Sequence, residues 1–358
     1  MRILHLADRL SRRGGADNHL RDVATEQALR HRVTLGIGRR RASDPAGTRV
    51  VELRGLASPI ESSAGLEGLE ALVAEADVVH LHNVMNPAAL RIAREARRCL
   101  VTVQDHRVFC PGPGRTLPSG ERCESRMSEE ACTGCLPDEA YRERMLSVTE
   151  ARRAAMVGMT VVVLSEYMRE ECKQAGLGPV HVVPPWVEVA EGPSPVGEGA
   201  VIAGRLVAHK DPLSAWRAWR SVGGVLRVCG VGGLRDQLEG AEHLGWVSRR
   251  VLRNVLAASR VLLFPARWQE PFGIVGVEAL AVGTPVIAMA RGGVPEWARE
   301  GVVLVQDEAS MTEALARISA DDRLAAELGR AGWASVREAY SRERLLPRLE
   351  ALLRGRSG

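Results

Sequence analysis

Short apolar runs recur along this chain at intervals that leave room for one helix between neighbours. In the first half they fall at residues 2–7, 33–37, 77–81, 99–104 and 160–164, with helical stretches such as 18–29 and 87–97 between them. Strand-type runs resume at 199–203, 225–229, 261–264, 286–289 and 302–305. Alternation of this kind predicts an α/β protein with doubly wound parallel sheets covered by helices. Residues 184–199 read PPWVEVAEGPSPVGEG, and their proline and glycine density predicts a linker over 184–198. The expected organisation is a first domain over 1–183, a second over 199–337 and a C-terminal helical segment over 338–358.

One helix breaks the amphipathic pattern. Residues 274–282 read IVGVEALAV, too apolar for a surface helix, and Glu278 is the only charge among them. Left unpaired there, a carboxylate costs several kcal/mol, against roughly 5–15 kcal/mol for a whole domain. A partner for Glu278 is therefore expected. The segment opening this helix is Glu270-Pro-Phe-Gly-Ile-Val-Gly-Val-Glu278, preceded by the strand-type run 261–264 and followed by the stop signal Gly283-Thr-Pro285. Gly273 permits close backbone approach, and first-turn N–H groups lack internal partners. Two carboxylates flanking a row of donors suit a molecule with hydroxyls at both ends and phosphates between, such as a nucleotide sugar. The competing reading makes Glu278 a structural residue bonded to protein groups and Glu270 a loop charge.

EPFGIVGVE resembles the E-x7-E motif of the retaining glycosyltransferases of family four, the glycosyl transferases group 1. The resemblance implies the GT-B fold: two Rossmann-like doubly wound parallel-sheet domains facing across a cleft, with the segment 338–358 crossing back to the first. Gly204-Arg-Leu-Val-Ala-His-Lys210 is similar to the family's G-R-L-x-x-x-K pattern, which implies that Arg205 and Lys210 bind the donor diphosphate. A guanidinium fork and a point-charge ammonium also suit adjacent phosphoryl groups on physical grounds. By the same resemblance Glu278 would hold the ribose diol, Glu270 with Phe272, Gly273 and Ile274 the transferred sugar, and Val247 the nucleobase. In the first domain, the turn at Gly14 and Gly15 after the first strand matches a family position for phosphate or acceptor approach. Relatives place a histidine after the strand ending near Val103, whereas this chain reads Gln104-Asp105-His106. Either His106 supplies that contact from a shifted loop, or Gln104 bonds a sugar hydroxyl without a titratable group.

The resemblance implies retention, with the acceptor attacking from the leaving-group side and no protein nucleophile. Arg205 and Lys210 would stabilise the charge growing on the departing phosphate. No D-x-D sequence is present, which argues against a catalytic divalent metal, so no cofactor is expected for catalysis. Two alternatives stay open: a nucleotide-sugar epimerase of the same fold, and a non-catalytic nucleotide-sugar-binding subunit.

Four cysteines, Cys110, Cys123, Cys132 and Cys135, fall within an insertion spanning about residues 106–137 that lacks helical or strand periodicity. Their spacing, ending in C-x-x-C, suggests a structural zinc site, with free or redox-active thiols as the other reading. The segment D-x-x-x-x-C-P, from Asp105 to Pro111, resembles a cysteine-containing subgroup of the family.

Composition adds limits. With 358 residues, 46% hydrophobic and 26% charged, the chain is long enough for two cores. A net charge of +4 is too small and too spread to point to nucleic acid. No apolar run approaches the roughly 18 residues of a membrane-spanning helix, and the first seven residues read as a strand, so a cytoplasmic protein is expected. Arg39-Arg-Arg41 is either a solvated turn or a peripheral contact with anionic lipid. Among 48 basic residues only Lys173 and Lys210 are lysines, which singles out Lys210. Donor base, donor sugar and acceptor, whether small molecule, lipid-linked or glycan, are not encoded in these patterns.

Overall fold

The computed structural model describes residues 1–356, which form two compact α/β units. The first comprises Met1–Pro184 with the chain from Leu346 onward, and the second Pro185–Leu345.

In the first unit seven parallel strands, β1 (Arg2–Ala7), β2 (Arg32–Ile37), β3 (Thr48–Glu52), β4 (Val78–His82), β5 (Cys99–Val103), β6 (Thr160–Val163) and β7 (Val180–Val182), line up in the order β3-β2-β1-β4-β5-β6-β7. In the second unit six parallel strands, β8 (Ala200–Ala203), β9 (Leu226–Cys229), β10 (Glu242–Gly245), β11 (Val261–Phe264), β12 (Val286–Met289) and β13 (Val302–Val305), follow the order β10-β9-β8-β11-β12-β13. Helices cover both faces, so the central strands are buried on both sides and read as continuous apolar runs. β4, β11 and β12 are buried at every residue. In each sheet the winding direction reverses once, between β1 and β4 and between β8 and β11. These are topological switch points, where open α/β sheets bind ligands at the strands' carboxyl ends.

Three strands lack an apolar run in the sequence: β3, β7 and β10. All three lie at sheet edges and are only partly buried, so packing demanded little of their composition. Stretch 184–198 contains no helix or strand. It is nevertheless stitched to the second unit, because Val187, Ala190, Ser194 and Glu198 donate backbone N–H groups to the carbonyls of Tyr340, Ala281, Val282 and Ala258. The C-terminal region is two helices, Asp322–Ala339 and Arg342–Leu353, rather than one stretch starting at Glu338. The boundary between the units falls inside the second of these. No helix among the described residues is long and apolar enough to cross a membrane.

Candidate active site

The second unit's sequence motifs follow the two strands that flank its switch point. After β8 the chain runs through Gly204 and Arg205 to a 3-10 turn, Ala208–Lys210, and Asp211 then caps the helix Pro212–Val222. This loop rests on the turn after β9: Gly204 N–H donates to the Cys229 carbonyl (3.0 Å) and Leu206 N–H to that of Val231 (2.9 Å). A Cβ on Gly230 would lie 1.8 Å from the Gly204 carbonyl oxygen, so the two backbones touch only because residue 230 has no side chain.

After β11 the chain returns toward the same point. The Arg267 N–H donates to the His209 carbonyl at 3.1 Å, which joins the two loops. The Lys210 ammonium forms an ion pair with Glu270 Oε2, and Trp268 Nε1–H donates to that oxygen at 2.6 Å. Lys210 Nζ also stands 4.8 Å from the Trp268 ring centroid, a cation–π contact. The Glu270 side chain is 9% exposed and that of Lys210 21%, so the carboxylate is desolvated while the ammonium reaches solvent. Behind Glu270, Gly293 N–H donates to its carbonyl at 2.7 Å and Gly292 N–H to Gln269 Oε1 at 3.1 Å. The Arg291-Gly-Gly turn thereby fixes the backbone that presents Glu270.

His209 sits between these charges. Burial, then Arg205 and Lys210, push its pKa down to about 4 against an opposing pull from Glu270. A neutral imidazole results at pH 7, and exposed Arg205 places Nη2 at 3.3 Å from its Nε2. Two cations thus share one loop beside a shielded carboxylate. Such a set can bind adjoining phosphoryl groups and hydrogen-bond a neighbouring hydroxyl.

Gly273 adopts a left-handed conformation (φ 89°, ψ 56°) and opens the helix Ile274–Leu280. Phe272 is buried, its carbonyl accepting from Trp297 Nε1 at 2.5 Å, and Ile274 is partly buried. The partner expected for Glu278 includes a protein cation: Arg249 Nε lies at 2.9 Å, and the Glu278 side chain is 17% exposed. The apolar helix hid this because the cation comes from a different helix, Arg249–Ala257. Val247 lies just before that helix and is partly buried.

In the first unit Gly14 precedes the helix Gly15–Ala28 with φ 108°. Gln104 is buried and its Oε1 accepts from Asn83 Nδ2 at 2.9 Å, while its Nε2 has no hydrogen-bond partner. Asp105 is paired with Arg107 at 2.7 Å. Burial would raise its pKa, but the adjacent guanidinium outweighs it and holds the carboxyl low. His106 is 2% exposed and its Nε2 bonds the Tyr167 hydroxyl at 2.9 Å. That engagement places it in the packing of the first unit.

The four cysteines share one insertion, near enough for their thiols to act on one another. Among the described residues, the one group of three or more potential metal ligands whose atoms lie within 4.8 Å of one another is His5, His80 and His82. Cys110 Sγ accepts from Arg115 N–H at 3.3 Å, Cys135 Sγ is 3.9 Å from the Thr116 carbonyl and Cys123 Sγ 3.9 Å from that of Ser125. Burial raises the thiol pKa of Cys132 and Cys135, and neighbouring thiols add to the rise. A buried carboxylate ties the insertion to the rest of the unit: Glu171, 2% exposed, pairs with Arg122 Nη2 at 2.8 Å and with Arg115 Nε at 2.8 Å, the latter outside hydrogen-bonding angle. Arg39-Arg-Arg41 is exposed, with Arg40 paired to Asp44 at 2.8 Å.

Comparison with known proteins agrees with this geometry. Residues 200–333 match the family model of glycosyl transferases group 1. A GDP-mannose-dependent monoacylated alpha-(1-6)-phosphatidylinositol monomannoside mannosyltransferase of Corynebacterium glutamicum is 34% identical over 127 residues, 33% of either chain. A D-inositol 3-phosphate glycosyltransferase of Mycobacterium marinum is 42% identical over 76 residues, 20% of this chain and 16% of the relative. The chain thus spans a third or less of the length of these curated relatives. Among solved structures, Anabaena HepE in complex with UDP and glucose superposes with a TM-score of 0.71 at 18% identity, covering 99% of this chain and 100% of that one. The sucrose-phosphate synthase of Thermosynechococcus elongatus gives 0.70 at 20% identity, covering 99% of each. The fold is GT-B.

Proposed function

We propose that this chain, whose residues 200–333 match the glycosyl transferases group 1 model, moves a sugar from a nucleoside-diphosphate donor of the UDP or GDP type to an acceptor hydroxyl. The observation that carries the reading is the meeting of Lys210 and Glu270 at the β8/β11 switch point, with Arg205 on the same loop. The matching relative named above depends on GDP-mannose and the similar HepE structure holds UDP, so both bases stay within the proposal.

In this reading Lys210 and Arg205 receive the diphosphate. Negative charge grows on the leaving phosphate as the glycosidic bond breaks, and fixed cations in a partly desolvated site stabilise that charge more than the ground state. Lys210 is shared between Glu270 and the phosphate, while Trp268 keeps one hydrogen bond on the carboxylate throughout. Glu270 with the Phe272 and Gly273 backbone then accepts or donates to sugar hydroxyls, and Glu278, oriented by Arg249, receives the ribose diol. Val247 lies beside the nucleobase. Cations on the leaving group can do the work of a metal ion, and retention, with the acceptor attacking from the leaving-group side, is what the resemblance to the family adds to the proposal. Gln104, whose Nε2 lacks a hydrogen-bond partner, is a better candidate than His106 for a sugar contact.

The test is release of nucleoside diphosphate from a panel of UDP- and GDP-sugars with candidate acceptors and chelator present. Acceptor-dependent release with an unchanged anomeric configuration in the product supports the proposal. Epimerised donor without release, or absence of nucleotide binding across the panel, overturns it.

A further inference from the structure

The first unit contains a buried cluster that the reaction does not use. His5 on β1 and His80 on β4 are register partners, and His82 lies opposite Ala7 two residues further on. Register partners in a parallel sheet, and residues two apart on a strand, project from the same face. Three imidazoles are thereby gathered on one side of the β1/β4 switch point, with ring centroids 4.0–5.3 Å apart. None is more than 1% exposed.

Their hydrogen bonds are incomplete. His5 Nε2 meets Gln27 Oε1 at 2.8 Å, His80 Nε2 meets Thr102 Oγ1 at 2.7 Å, and His5 Nδ1 meets His82 Nε2 at 3.1 Å. His80 Nδ1, His82 Nδ1 and Gln27 Nε2 have no hydrogen-bond partner. A buried polar atom left unsatisfied costs about 1–3 kcal/mol, so the unpartnered His80 Nδ1 among three gathered imidazoles calls for an explanation beyond packing.

We propose that His5, His80 and His82 form a binding site for a first-row divalent transition metal, with zinc as the reference ion. The glutamine on one side and the threonine on the other act as an outer shell. Each engages the Nε2 of its histidine and so turns Nδ1 of His5 and of His80 inward as lone pairs. His82 supplies the third nitrogen. Zn–N bonds of about 2.0–2.1 Å in tetrahedral geometry put ligand nitrogens roughly 3.3 Å apart. The His5 Nδ1 to His82 Nε2 separation of 3.1 Å is already close to that, and one ligand atom from each ring lies within 4.8 Å of the others.

Proton balance is simple. Burial drives the His5 pKa to about 4 and those of His80 and His82 well below 6.5, so all three rings are neutral before the ion arrives. If the proton between His5 and His82 resides on His82 Nε2, it transfers to Nδ1 of that ring as Nε2 takes the metal. The fourth coordination position falls to water or hydroxide. Imidazole sets of this kind suit zinc, copper and nickel rather than calcium or magnesium.

The experiment uses the untagged full chain, stripped with chelator and titrated with Zn²⁺ or Co²⁺. Expected are one equivalent bound, a raised melting temperature, and X-ray absorption at the zinc edge showing nitrogen and oxygen scatterers without sulfur. Binding should survive replacement of Cys110, Cys123, Cys132 and Cys135 together by serine. The pair His80→Asn and His82→Asn should abolish it, and Gln27→Leu should weaken it about 10–100-fold by freeing the His5 tautomer. Sulfur scattering, binding unchanged in the histidine variant, or no binding in molar excess of metal each overturns the proposal. The absorption measurement on the wild-type chain decides the matter even if a histidine variant fails to fold.

Discussion

Lys210 and Glu270, 60 residues apart in sequence, form an ion pair to which the Trp268 indole adds a second donor. The pair joins the loop after β8 to the loop after β11. Its geometry gives the two residues separable roles in stability and in chemistry. Removing the ammonium alone, by Lys210→Met, leaves a shielded carboxylate with the Trp268 indole donating to it and should cost about 1–3 kcal/mol of stability. It should also lower the rate by about 10²–10³-fold, since one preorganised contact to the developing charge is lost. Adding Glu270→Gln to that variant removes the orphaned charge. Denaturant unfolding should then show stability recovered, while turnover stays low. If turnover returns with stability, Lys210 acts only as a structural partner of Glu270.

Glu278 and Arg249 lead to a second prediction. Arg249 is about a third exposed, so solvent screens the pair, and Arg249→Leu should change stability by only about 0.2–1 kcal/mol. The functional effect should be larger and selective. Glu278→Gln should weaken binding of a ribonucleotide donor about tenfold or more, because a hydrogen bond to a charged group is worth about 1.5–3 kcal/mol. A 2′,3′-dideoxy analogue should bind both forms equally in calorimetry. Equal weakening of both ligands would mean that Glu278 does not meet the ribose.

The depressed pKa of His209 leads to a pH prediction. In the unfolded chain this histidine takes a proton near pH 6.5, whereas in the folded chain burial, Arg205 and Lys210 delay protonation to about 4. Its contribution to stability is therefore full above pH 6.5 and is lost as pH falls from 6.5 to 4. Glu270 is the one acidic group acting on it against that shift. His209→Gln should shrink the drop in melting temperature between pH 7 and pH 4.5 and leave the melting temperature at pH 8 nearly unchanged. A drop of the same size in both proteins would show that other groups carry the acid sensitivity.

The candidate site was legible where chemistry follows a strand in a short motif, and illegible where it depends on which strands are neighbours. Arg205, Lys210 and Glu270 could be marked because each lies a few residues beyond an apolar run, and Glu278 because it is the one charge inside another. Trp268 gave no signal, since an aromatic residue in a loop has no periodicity to betray its role. Arg249 reads as a solvated charge on an amphipathic helix until the packing of that helix against Ile274–Leu280 is known. His5 and His80 are 75 positions apart and meet only through the register of β1 with β4. The tether of the cysteine-bearing insertion gave no signal either, because Glu171, which pairs with Arg115 and Arg122 inside it, comes from the distant helix Glu166–Gln174. The fold class was visible because buried parallel strands must be apolar, and three of the four edge strands, β3, β7 and β10, escaped notice because edge strands need not be.

Gly230 and Gly233 lie three residues apart on one turn, and their surroundings predict opposite responses to alanine. A Cβ at Gly230 would meet the Gly204 carbonyl oxygen at 1.8 Å, whereas one at Gly233 meets nothing within 4 Å. Backbone cannot yield as a flexible side chain can, so Gly230→Ala must push the loop carrying Arg205 and Lys210 away from β9, at about 1–3 kcal/mol. The same movement withdraws both cations from the donor. Nucleotide-sugar binding by calorimetry should therefore weaken at least tenfold, although residue 230 itself carries no polar side chain. Gly233→Ala should leave binding unchanged and stability equal or slightly higher, because it only narrows the unfolded ensemble. Should Gly230→Ala lose stability but bind the donor at wild-type affinity, the loop after β8 would not be the phosphate-binding element.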